Sequence, residues 1–159
     1  MQVSDIVEAI EAFAPPALAG DWDNTGLIAG DPAWPVEGPV LLTIDLTEPV
    51  AAEALRRGAG MVVAYHPPIF RPVPRLDAAD GRSRAVLALL RAGIALYSPH
   101  SALDATPGGM ADWLLDVVCP TAPVAREALQ PALAVPAALA SSDLPVGAGR
   151  IGVLAEPVP

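Results

Sequence analysis

Cysteine occurs once in the 159 residues, at Cys119, so the chain has neither an intrachain disulfide nor a cysteine-rich zinc site. Lysine is missing altogether. The nine basic residues are all arginine, and eighteen Asp and Glu outweigh them to a formal net charge of −9. Nucleic-acid binding draws on clustered cations facing phosphates, and no such stripe is present. The nearest approach, Arg71 to Arg84, is interrupted by Asp77 and Asp80 and reads as a solvated loop. No run of about 18 apolar residues exists to make a membrane-spanning helix. The N-terminus, "MQVSDIVEAIEAF", lacks the basic start and apolar stretch of a signal peptide, so a cytoplasmic location is expected. Aromatics are scarce, 4% against 53% hydrophobic residues, which leaves core packing to alanine, valine and leucine. Histidine is scarcer still, with only His66 and His100.

The length suits one ordinary domain with a sizeable core. Val3, Ile6, Val7, Ile10 and Phe13 recur at helical spacing, with Ser4 as N-cap and "APP" (14–16) as the stop. A polar loop follows at 20–32. "PVLLTIDL" (39–46) reads as a buried strand, and Thr47 caps a helix that Gly58 closes. "MVVAY" (61–65) and "IALYS" (94–98) are further strands. Ser83–Ala92 and Pro107–Val118 are further helices. Residues 120–149 are Ala/Pro-rich and read as linker, and 150–159 reads as the start of another strand, so residues 1–119 form the main lobe. Strands alternating with helices predict an α/β fold, a largely parallel sheet with helices on its faces. Right-handed crossovers then place the strand C-termini along one edge, where open sheets bind ligands.

Asp45, Tyr65-His66, and His100 with Asp104 all follow strand ends on that edge. Each histidine admits two readings, a strand-end imidazole bonded to backbone or a ligand. Pro67 and Pro68 restrict the backbone around His66, which suits either. His100 and Asp104 stand four apart in a Pro/Ser-rich loop, and imidazole with carboxylate suits Zn, Fe, Ni or Mn. A Ser-His-Asp hydrolase built from Ser98 or Ser101 with His100 and Asp104 lacks the G-x-S-x-G elbow. "GAGRIG" (147–152) matches G-x-G-x-x-G formally, but follows a linker and opens no helix, so it is no dinucleotide site. Trp113 sits beside Leu114 and Val117 on a helix and is expected in the core. Trp22 borders the polar loop.

"WDNTGLIAGDP", "LLTIDLT", "AYHPPIF" and "YSPHSALDATPGGMADWL" together resemble the successive motifs of the NGG-interacting-factor-three-like proteins, also called type 2 GTP cyclohydrolase I or dinuclear metal centre proteins. The motifs cover residues 3–118, and "GAGRIGVL" resembles a later glycine-rich strand entry. The resemblance implies a paired divalent-metal site in a three-layer α/β/α fold with a largely parallel or mixed sheet, and commonly a ring-shaped homo-oligomer. It implies that His66, His100 and Asp104 are metal ligands, with Asn24 and Asp45 lining the pocket. Tyr65 stands at a family ligand position, as in the branch that includes the animal homologues. No histidine follows His100, so the family's C-terminal His-x-x-x-Glu ligands have no counterpart. Either an amino-terminal part of the family fold or a natural short form with a depleted site is expected, the former because "RIGVLAEPVP" reads as the entrance to a further segment.

The function expected is that of a metal-dependent hydrolase-like protein, activating water for an unspecified substrate that could be a nucleotide. The alternative is a non-catalytic metal-binding scaffold or regulatory protein with a protein partner. Neither nucleic acid nor membrane is an expected partner.

Overall fold

The computed structural model describes residues 1–119 and 121–156. Positions 157–159, part of the segment expected to open a further strand, lie outside the described residues. The chain divides into two compact units, Met1–Glu11 with Trp22–His100, and Ala12–Asp21 with Ser101–Pro159.

The first unit is built on a four-stranded mixed sheet of β1 (Gly26–Ala29), β2 (Val40–Thr43), β3 (Met61–Ala64) and β4 (Ala95–Ser98), in the order β1-β4-β3-β2. β2, β3 and β4 run parallel, and β1 runs antiparallel to β4. Alternation along β3 and β4 sends side chains to opposite faces. Met61, Ala95 and Tyr97 meet Val3, Ile6, Val7 and Ile10 of helix α1 (Val3–Phe13) on one face. Val62, Ala64 and Leu96 meet Ala51 and Ala54 of α2 (Glu48–Arg56) and Ala85, Val86 and Leu89 of α3 (Gly81–Arg91) on the other. Three α/β/α layers result, as expected. The alanines let α2 and α3 sit close to the sheet, and truncating a larger buried residue there, such as Leu89→Ala, would cost about 2–5 kcal/mol.

Local chemistry sets the helix ends. The Thr47 hydroxyl accepts from the Val50 N–H at 3.4 Å, with Pro49 in the first turn of α2. Asp80 caps α3 by accepting from the N–H groups of Arg82 and Ser83. Ser4 is not the cap of α1, because the helix already includes it. Instead the Asp5 carboxylate accepts from the Gln2 N–H at 2.7 Å. The polar loop expected at 20–32 contains β1, an edge strand.

The second unit holds α4 (His100–Ala105, which begins on the last residue of the first unit) and α5 (Met110–Val118). α4 replaces the loop expected at His100 and Asp104. The linker expected at 120–149 carries short strands: β5 (Ala125–Glu127) pairs antiparallel with β8 (Ile151–Val153), and β6 (Gln130–Pro131) with β7 (Gly147–Ala148). "GAGRIG" therefore spans β7, a turn at 149–150 and the first two residues of β8, with Gly149 at φ +66°. Trp113 is not core; it is 57% exposed. The buried position of α5 is Asp112, which pairs with Arg150 at 2.9 Å and Arg126 at 3.4 Å and accepts from the Gly108 N–H at 2.9 Å. Burial raises that carboxyl, but the hydrogen bond and charge of Arg150, with Gly108 and Arg126, outweigh it and hold Asp112 below the usual carboxylate range. Among the described residues no helix is long and apolar enough to cross a membrane.

Candidate functional site

The C-terminal ends of β2, β3 and β4 deliver Asp45, Tyr65-His66 and His100 to one edge of the first unit. The β2–β3 ladder runs on past both strands: the Tyr65 N–H donates to the Thr43 carbonyl at 2.9 Å and the His66 N–H to Ile44 at 3.0 Å. From β4, the Ser98 hydroxyl donates to the Tyr65 carbonyl at 2.8 Å. The backbone beneath His66 is thus tied to both neighbouring strands. His100 has φ +31°, the one non-glycine residue at positive φ among those described. A side chain held in that sparsely populated region carries strain, which recurs at functional positions.

The two imidazoles converge, with ring centroids 5.6 Å apart and planes at 79°. Each has its Nδ1 against a carboxylate: His66 with Asp45 at 2.9 Å and His100 with Asp23 at 2.7 Å. A carboxylate only accepts, so the Nδ1 of each ring carries a proton, and the tautomer this selects when a ring is neutral leaves a lone pair on Nε2. This carboxylate–histidine arrangement orients imidazoles that bind metals. The Asp23 side chain is fully buried, whereas those of Asp45 and His66 are open to solvent. Trp22, Tyr65 and Phe70 ring His100 edge-on at 6.2, 5.6 and 6.0 Å.

Asp45, His66 and His100 line a cleft of about 770 Å³, together with Glu48, Phe70 and Arg82. Its size falls within the roughly 300–1,000 Å³ range of small-molecule sites. Of the other residues expected at the site, Tyr65 packs against both imidazoles, with ring centroids 4.9 Å from His66. Asn24 donates its side-chain amide to the Ile69 carbonyl and is not among the lining residues. Asp104 belongs to the second unit, one turn after His100 in α4. Asp23 was not anticipated; one of two aspartates in "DWDNTGL", it gives no signal until the fold brings it to His100. As a donor set, two imidazole nitrogens suit a borderline divalent cation. Among the described residues, no three His, Cys, Asp or Glu side chains are grouped to hold one.

A mixed-sheet α/β/α unit whose strand ends present a carboxylate-oriented histidine pair defines the class of protein. The profile of Duf34/NIF3 (NGG1p interacting factor 3) matches residues 1–159, and the chain belongs to that family. It is 44% identical over 117 residues to NIF3-like protein 1 of Drosophila melanogaster, covering 74% of this chain and 40% of that protein. It is 39% identical over 113 residues to a GTP cyclohydrolase 1 type 2 homolog of Lactococcus lactis, covering 71% and 44%. A Bacillus cereus protein related to NIF3 superposes with a TM-score of 0.74 at 30% identity, covering 82% of this chain and 35% of that one. The chain thus spans less than half the length of these relatives.

Proposed function

We propose that this protein is metal-dependent and hydrolase-like, binding a divalent cation at the histidine pair of the cleft. The observation that carries the reading is the matched pair of carboxylate-held imidazoles, whose Nε2 lone pairs remain for a ligand. His66 and His100 would each supply one imidazole nitrogen to the ion. A divalent ion so held supplies Lewis acidity and lowers the pKa of water from about 15.7 toward about 7. Asp45 and Asp23 orient the rings, and the aromatic side chains around His100 limit access of bulk water. The name of the Lactococcus lactis relative supports hydrolysis as the reaction class.

A second reading, a metal-binding scaffold without catalysis, is favoured by the lack of a three-donor group among the described residues. Metal analysis after dialysis against chelator and reloading with Zn, Mn, Ni or ferrous iron tests both. Stoichiometric uptake, lost in His66→Ala and His100→Ala and weakened about 10- to 100-fold in Asp23→Asn and Asp45→Asn, is the expected result. An unchanged affinity in the histidine variants would refute the site. Metal uptake without hydrolysis of any nucleotide tried would leave the scaffold reading.

A further inference from the structure

We infer that the cleft takes a phosphate-bearing small molecule, and that Arg82 with Arg71 selects it. This rests on the hydrolase reading for the reacting end of the cleft and adds what holds the rest of the ligand.

Charge accounting within the lining leads there. Asp45 is bonded to His66, and His100 to Asp23. Glu48 is held in a two-pronged pair by Arg84, with both N–H···O distances at 2.9 Å. Arg82 is the charged lining group left over, since no ion pair to it occurs among the described residues. Its sequence neighbour Asp80 uses both oxygens to cap α3, on the N–H groups of Arg82 and Ser83 and the Ser83 hydroxyl. In a chain of net charge −9 an anionic ligand is repelled at long range, so a local uncommitted cation is what would retain one.

A second hollow of about 390 Å³ shares Pro68, Phe70 and Arg82 with the main cleft, and Arg71 lines it too. Arg71 likewise makes no ion pair among the described residues. The one carboxylate in this hollow is Asp80, already committed to the cap. Two uncommitted guanidinium groups around one hollow match a phosphate dianion better than a single carboxylate, and each can donate paired N–H groups to its oxygens. With the phosphate there, Pro68 and Phe70 give the organic part an apolar path into the cleft of the imidazoles.

The test uses the full chain after dialysis against chelator, so that bound metal contributes nothing. Inorganic phosphate and phenyl phosphate are titrated by calorimetry and phosphorus NMR, with acetate as competitor. The parent should bind both phosphates, with phenyl phosphate tighter. Arg82→Ala should weaken binding about tenfold, Arg71→Ala should weaken it also, and Arg82→Lys should restore it in part. Arg75→Ala and Arg91→Ala, outside both hollows, should bind as the parent does. Circular dichroism of each variant should match the parent, because these arginines are exposed. No phosphate binding by the parent, parent-like binding by Arg82→Ala, or acetate competing as well as phosphate would each overturn the inference. Metal uptake, measured separately, should be unchanged in Arg82→Ala. Failure of the metal site would appear there and leave the phosphate titration intact.

Discussion

Replacing Asp112 by asparagine removes one charge from the network joining α5 to the β7–β8 turn, at nearly constant volume. The side chains of Arg150 and Asp112 are only 1% and 3% exposed, so the substitution strands a buried guanidinium. Removing one partner of a buried pair costs about 3–5 kcal/mol. Arg150 keeps the carbonyls of Gly147, Gly149 and Thr106, and Arg126 keeps Asp116, which argues for the lower end of that range. The expected loss is about 3 kcal/mol, or about 6–12 °C in Tm for a chain of this size. Urea unfolding followed by circular dichroism, at pH 7 and with unchanged slope, reads it directly. The double variant Asp112→Asn/Arg150→Met should recover at least half of the loss, since it also removes the stranded cation, whose Nε already lacks a hydrogen-bond partner. A single variant costing less than about 1 kcal/mol, or a double variant worse than the single, would refute the reasoning.

Two further outcomes follow from the same physics. Gly38 sits at φ +125°, and a Cβ there would lie 2.1 Å from the Gly58 carbonyl oxygen, so Gly38→Ala should cost about 3 kcal/mol in urea unfolding. A loss below about 1 kcal/mol would mean that the turn shifts freely. Glu48, Asp80 and Asp112 are all held below the usual carboxylate range, Glu48 by its hydrogen bonds with Arg84 and Asp80 by those with Ser83. Their folded pKa values lie below the unfolded ones, so their stabilisation is complete above about pH 5 and fades as pH falls through the folded values. Tm should therefore be level from pH 5 to 7 and drop below about pH 4, less steeply in Asp112→Asn; a Tm that rises on acidification would contradict this.

The layers of the first unit were legible because short apolar runs such as β3 and β4 alternate with helical segments along the chain and α1 repeats its apolar residues every three or four positions. The strand-end placement of His66 and His100 followed from that alternation and the handedness of crossovers. β1 was hidden, because a four-residue edge strand in a polar stretch is formed by its pairing with β4 rather than by its own pattern. α4 was read as loop because "SPHS" has turn composition, and its first residue adopts a conformation that local propensity disfavours. The apolar spacing of Trp113, Leu114 and Val117 pointed to the wrong buried face, since two arginines from distant positions let Asp112 go inside instead. Strands of two or three residues, such as β5 to β8, are too short for periodicity to register.

β4 lies between β1 and β3, and all four of its residues are buried. β3 is its hydrogen-bonded neighbour, so His66 and His100 issue from adjacent rungs of one lattice whose rows are about 4.8 Å apart. The 5.6 Å between their rings echoes that repeat. The backbone thus acts as a ruler: divergence among descendants of this sequence can alter what approaches the pair through the 67–76 and 80–84 segments, while the interval between the rings stays locked.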